Sequence, residues 1–277
     1  MHYGNLYFHV GLHKTATTYL QRLVFPRWAG IKYLRYRNIE YFLRLSDSEK
    51  YLISCEGLSG GTFARLDDRL RGLRRLAAMF PGSHAIIGLR PHGGFVASLY
   101  SQYLRYGGSA PFEAFFSLDG PQENVVWRRE DLSFRALIEQ LETAFGEAPF
   151  VFQMSELKTN RDGLMADLSA FLGTPGGPPP EVDDKAQNIS LGAWQGHLLR
   201  TINRRAGVSH TPDGRNRPFP RLARWRLDPT TICHKVLGRL PGGPLVSGEV
   251  RQRIDAAYRD DWDFVTDYIK SLSCRHL

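Results

Sequence analysis

The 277-residue chain has little cysteine and little methionine, three of the first and four of the second. Cys55, Cys233 and Cys274 are far apart and odd in number, which excludes a disulfide framework and any paired-cysteine zinc spacing. A reducing compartment is the expectation. No apolar run approaches the roughly 20 residues that span a bilayer. The chain does not open with a charged stretch followed by an apolar one, so the reading is a cytoplasmic protein with no signal peptide and no integral membrane segment. The nine histidines are scattered, without H-E-x-x-H, and no G-x-G-x-x-G follows a strand. Internal repeats and low-complexity tracts are lacking too.

What is present is an ordinary globular composition. Hydrophobic residues make up 42% and charged residues 23%, which excludes a disordered or fibrous chain. A chain of this length buries roughly three quarters of its unfolded surface. Lysine and arginine number 36 against 28 acids, a net charge of +8. That surplus asks for an anionic partner without saying which.

Apolar runs and turn signals give the element order. Leu6 to Gly11, Tyr51 to Cys55, His84 to Leu89 and Phe150 to Phe152 read as strands. Thr15 to Phe25 reads as a helix stopped before Pro26, and Leu66 to Phe80, Phe95 to Leu104, Leu132 to Phe145 and Leu164 to Leu172 as further helices. The alternation predicts an α/β fold: a P-loop-like central parallel β-sheet flanked by helices. Beyond the Pro/Gly loop from Thr174 to Pro180 come a helix from Leu191 to Arg205, an irregular stretch to Gly248 and a final helix from about Glu249 to Leu272. The expectation is one domain over 1–277. Its core is about 5–173, with a helical and irregular basic embellishment about 181–277.

Three strand ends carry the chemistry. Gly11-Leu12-His13-Lys14-Thr15-Ala16-Thr17-Thr18 lies where a strand turns into a helix. Backbone N–H groups, the Lys14 charge and the threonine hydroxyls there suit a phosphate group. The spacing is not G-x-x-x-x-G-K-[ST], since Gly11 precedes Lys14 by only three residues. A plain strand-to-helix turn with a threonine cap is the other reading. Arg90 follows the strand ending at Leu89, where open α/β sheets bind ligands, and Ser98 lies two helical turns on. Both reach one anion, or they are a surface arginine and a packed serine. Glu56 follows the strand ending at Cys55 and is placed as a general base, as a salt-bridge partner or as support for Mg²⁺.

Taken together, Phe8 to Gln21 resembles the 5′-phosphosulfate loop of sulfotransferases, G-x-x-K-[TS]-G-T-T-x-L-Q, with Ala16 where that loop has Gly. Ile87-Gly88-Leu89-Arg90-Pro91 with Ser98 is similar to their 3′-phosphate motif. Ser54-Cys55-Glu56 resembles the strand end bearing the catalytic glutamate of the glycan-modifying members, and Gln153 to Leu157 a fourth strand end of that fold. The matches run in family order over about residues 6–172.

The resemblance implies a bacterial-like sulfotransferase using 3′-phosphoadenosine 5′-phosphosulfate (PAPS), with adenosine 3′,5′-bisphosphate as product and no metal expected. It implies that Lys14, Thr15, Ala16, Thr17, Thr18, Arg90 and Ser98 bind the donor. Lys14 would stabilise the leaving group and Glu56 take the acceptor proton. His13 is the second candidate base, expected to point elsewhere from the strand edge. The acceptor would be a carbohydrate or glycolipid hydroxyl or an amine, with no nucleic-acid partner. Arg215 and Arg217 are possible covers for the adenine, and Tyr100, Tyr103 and Tyr106 possible acceptor-pocket residues. Two other classes stay open. A P-loop kinase or NTPase would need magnesium. A non-catalytic polyanion binder would use the arginines from Arg200 to Arg226 and show steep salt dependence.

Overall fold

The computed structural model describes residues 3–35, 45–46, 48–123, 125–175, 191–205 and 243–273. Five strands form one all-parallel sheet in the order β2-β3-β1-β4-β5. They are β1 Leu6–His9, β2 Lys32–Arg35, β3 Tyr51–Ser54, β4 His84–Leu89 and β5 Phe150–Gln153. Helices cover both faces, which is why these strands are apolar throughout rather than alternating. Phe8, Ile53, Ile87 and Val151 belong to a core on one side of the sheet. Tyr7, Leu52, Ile86 and Phe152 belong to a second core on the other, together with Leu20, Val24, Leu164 and Leu168.

The helices of the first half follow the predicted order, with one short helix added before the fourth. They are α1 Thr17–Tyr19, α2 Leu66–Met79, α3 His92–Arg105, α4 Phe112–Phe115 and α5 Phe134–Phe145. Next come α6 Glu156–Thr159, α7 Arg161–Leu172 and α8 Ala193–Arg205, then α9 Gly248–Ala257 and α10 Arg259–Ser273. Helix α5 begins on the Ser133 hydroxyl, which accepts from the Ala136 N–H, and stops at Gly146 in the left-handed region.

Three sequence expectations are corrected. The first helix does not stop before Pro26. It passes from α1 through a π turn, Leu20–Val24, into a 3₁₀ turn, Phe25–Arg27, whose early position tolerates a proline because its N–H has no helical partner there. An edge strand, β2, was not anticipated. Lys-Tyr-Leu-Arg is short and polar at both ends, as an edge strand can be. The final helix is two, broken at Tyr258. Arg215, Arg217, Arg221, Arg224 and Arg226, with Cys233 and Cys274, lie outside the described residues. No helix among the described residues is long and apolar enough to cross a membrane.

The two C-terminal helices are tied to the sheet layer by named contacts. Asp261 of α10 accepts from the backbone N–H groups of Phe134 and Arg135 and from the Ser133 hydroxyl, at 2.9–3.1 Å, and so caps α5. The buried His92 ring places Nε2 3.0 Å from the same carboxylate and stacks on Phe134 and Tyr258. Helix α9 lies across the first turn of α3. There the Gly93 N–H donates to Asp255 at 2.7 Å, and a Cβ on Gly93 would stand 2.2 Å from the Arg251 carbonyl oxygen. Only glycine permits that approach. Gly93→Ala should therefore push α9 off α3 at a cost of roughly 1–3 kcal/mol. The melting temperature should fall by about 2–10 °C for a protein of this size. An unchanged melting curve would show that α9 is not held there.

Candidate active site

Strands β3, β1 and β4 are adjacent and paired in register, Leu6 with Tyr51 through His9 with Ser54, and His9 with Ile86. Their carboxyl ends therefore lie side by side, and the loops that follow meet at one edge. A Cβ on Gly11 would stand 3.3 Å from the Glu56 Cα, which shows how closely the first two loops approach. The Gly88 N–H donates to the Gly11 carbonyl at 3.0 Å and ties in the third.

The loop after β1 is wound tightly. Gly11, Lys14 and Ala16 all have positive φ, at 105°, 68° and 62°. The conformation that favours glycine is thus adopted by Ala16 itself, and the Ala-for-Gly departure is tolerated with left-handed strain of order 1 kcal/mol. Thr15 and Thr17 are buried, and both hydroxyls donate to the Leu12 carbonyl, at 2.7 and 3.1 Å. Both hydroxyls thereby close the loop upon itself. Thr18 is half-buried at its end. The N–H groups of Thr15, Ala16, Thr17 and Thr18 have no backbone acceptor among the described residues. Consecutive free N–H groups in such a turn form a nest for an anion.

Lys14 leaves this loop and runs along α3. Its Nζ donates to Gln102 Oε1 at 3.5 Å. Burial, then the Arg105 charge, lower its pKa to about 8, with Arg90 adding to the shift and Glu56 opposing it. Lysine is thus still cationic at neutral pH but closer to losing its proton than usual. Arg90 turns back toward the loop, and its Nη1 donates to the Lys14 carbonyl at 3.3 Å. Gly94 makes room for it, since a Cβ there would meet Nη2 at 3.0 Å. Burial and the Arg251 charge lower the Arg90 pKa, while Asp255 opposes them. Gly94, Ser98, Gln102 and Arg105 recur at helical spacing, so they share the face of α3 on which Arg90 and Lys14 lie. Ser98 is half-buried in that stripe.

Glu56 does not stand alone. His13 places Nδ1 2.7 Å from Glu56 Oε2, both side chains being half-buried. The expectation that His13 points elsewhere is corrected, because the loop after β1 already runs close against the Glu56 backbone at Gly11. Burial raises the Glu56 pKa, but the His13 hydrogen bond, the His13 and His9 charges and the Thr17 hydroxyl outweigh it and hold the carboxyl below its usual range. His13 Nε2 is buried with no hydrogen-bond partner among the described residues.

The segment after Glu56 is held by one side chain. Arg69 of α2 is wholly buried and donates to the carbonyls of Ser59, Gly61, Thr62 and Ala64 at 3.1–3.2 Å. Burial lowers its pKa to about 10 against the pull of Asp131. Two of the three tyrosines of the stripe are packed rather than open. Tyr100 and Tyr103 are buried, the Tyr100 hydroxyl donating to the Ala110 carbonyl and the Tyr103 hydroxyl accepting from the Ala110 N–H. Sequence reading missed Gln102, Arg105 and Arg251. Helical spacing from Ser98 would have found the first two. Among the described residues no group of three His, Cys, Asp or Glu is arranged to hold a metal ion.

Beneath the loop, His9 Nδ1 lies 2.7 Å from Ser54 Oγ, and Gln21 Nε2 donates to the same hydroxyl at 3.0 Å. Burial pushes the His9 pKa down to about 4, although Glu56 pulls the other way. An unfolded histidine titrates near 6.5, so its proton is lost on folding between these values. This contribution is complete above about pH 6.5 and is lost as the pH falls toward 4. The slope reaches at most about 1.4 kcal/mol per pH unit. Urea unfolding between pH 7 and 4.5 should show that slope, and His9→Gln should flatten it. Equal slopes in the two proteins would place the His9 proton elsewhere.

No protein-family model and no curated protein sequence matches the chain. Among solved structures, a sulfotransferase from Alicyclobacillus acidocaldarius is similar, with a TM-score of 0.45 and 14% identity over 76% of this chain and 98% of that one.

Proposed function

We propose that this protein is a sulfotransferase, which moves the sulfonyl group of PAPS onto a hydroxyl or amine acceptor. The favoured acceptor is a carbohydrate or glycolipid hydroxyl. The observation that supports this best is the convergence of an acid–histidine pair, a lysine and a half-buried arginine on three adjacent strand ends. The residues suit the donor. The nest and Lys14 would take the 5′-phosphosulfate, and Arg90 and Ser98 the 3′-phosphate. The buried Arg90 Nε has no partner among the described residues and is a donor in want of an acceptor. The reading also keeps the whole chain as one cytoplasmic domain, with no nucleic-acid partner.

Chemically, the acceptor oxygen attacks sulfur as the bond from sulfur to the bridging oxygen breaks. The electron pair stays on that oxygen, and adenosine 3′,5′-bisphosphate leaves. Lys14 meets the charge that develops there, an interaction stronger in the transition state than before it. The acceptor's proton goes to the His13–Glu56 pair. Glu56 holds Nδ1–H, which leaves the lone pair at Nε2 to receive the proton and keeps a carboxylate beside the imidazolium that forms.

Incubating the protein with PAPS labelled in its sulfonyl group and a panel of sugars, glycolipids and amines tests the function directly. One acceptor class should take up label, and Lys14→Ala should slow the transfer about 10²–10³-fold. Label that stays on the donor with every acceptor, or a Lys14→Ala protein of near-normal turnover, would overturn the reading.

The base is tested with two variants and their combination. His13→Gln and Glu56→Gln should each lower kcat by roughly 10²–10⁴. The double variant should be no worse than His13→Gln, because the two act as a unit. A His13→Gln enzyme with most of its turnover would assign the base to Glu56 alone.

A further inference from the structure

Arg90 is one of two guanidinium groups at this end of α3. The other comes from α9, 161 residues further along the chain. Arg251 and Asp255 are one turn apart on the helix face that packs on α3. Both are placed by Gly93. Its N–H donates to Asp255 at 2.7 Å, and its missing side chain lets the Arg251 backbone come down onto the helix. Gly94, the next residue, is the one over which the Arg90 guanidinium lies. So both arginines are anchored at the first turn of α3, Arg90 by its guanidinium over Gly94 and Arg251 by its backbone against Gly93.

Neither is satisfied there. The Nε atoms of Arg90 and Arg251 are both buried, and neither has a hydrogen-bond partner among the described residues. No ion pair joins Arg251 to Asp255 or Arg90 to any acid among the described residues. Asp255 spends Oδ1 on the Gly93 N–H instead. Two cations face one carboxylate: burial first and the Arg251 charge second lower the Arg90 pKa, with Asp255 opposing both. Burying like charges together is unfavourable unless an anion joins them. Two planar forks, with donors left over on each, match the several acceptor oxygens of a phosphate monoester dianion better than the single charge of a carboxylate.

We propose that Arg251 is the second guanidinium of the phosphate-monoester site begun by Arg90 and Ser98, and that the bound phosphate clamps α9 to the sheet layer. The proposal rests on the reading of Arg90 as the ligand of the donor's 3′-phosphate. It makes Arg251 a specificity-determining residue, since only a ligand with that second phosphate reaches it. Asp255 sets the position of α9 on α3.

Calorimetry on the full chain tests this with adenosine 3′,5′-bisphosphate and with AMP, which lacks the 3′-phosphate. The wild-type protein should prefer the bisphosphate. Arg251→Met should weaken bisphosphate binding roughly 10- to 100-fold, the range for hydrogen bonds to a charged group, and leave AMP binding within about twofold. Arg251→Lys keeps the charge but not the fork, so its affinity should fall between the two; it also decides the matter if the Met variant does not fold. Equal wild-type affinities for the two ligands would overturn the reading of Arg90 and this proposal with it. A wild-type preference that survives both substitutions would overturn the role of Arg251 alone. Equal losses for both ligands would also overturn it, by showing that Arg251 supports the fold or the general field rather than the second phosphate.

Discussion

Parallel strands paired in register end at one level, and their chain directions all point the same way. In this protein β3, β1 and β4 obey that constraint, and the remaining features of the edge follow from it. Residues one to five positions beyond each strand are brought together without any long-range code in the loops themselves. Helices on both faces make the ladder apolar and rigid, so the loops inherit a fixed platform. The polar groups carried past its end then meet in a setting that water reaches poorly.

Poor solvation decides the electrostatics. Lys14 and Arg90 are both less willing to hold their protons than free side chains, with burial the leading cause in each. Glu56 goes the other way, because His13 compensates for its burial. The edge therefore keeps an ionised acid beside a ring nitrogen on one strand end and a surplus of positive charge on the next. An arrangement of this kind costs stability in the free protein and has its use when an anion arrives.

How much of this was legible depended on distance along the chain. Glu56 and Arg90 could be placed because each directly follows an apolar run, and Lys14 because it lies in the turn that leaves one; a strand end is a position that a sequence reveals. The pairing of His13 with Glu56 could not, since it joins two loops 43 residues apart in sequence whose close approach no local pattern announces. Strand β2 was hidden by its shortness and its charged ends. The tyrosines looked like a pocket because periodicity gives a face of a helix but not what covers that face. Arg251 was out of reach for a plainer reason. One arginine among many on a C-terminal helix carries no local signal, and only the bare Gly93 against which it rests marks it out.

The grip of Arg69 on the segment beyond Glu56 has one more consequence. A guanidinium shared by four carbonyls yields only if all of them yield, so the segment behaves as a solid wall rather than a flap. The surface it presents is shaped at folding, by a side chain of α2 that is itself buried, and whatever meets that side meets a wall already standing.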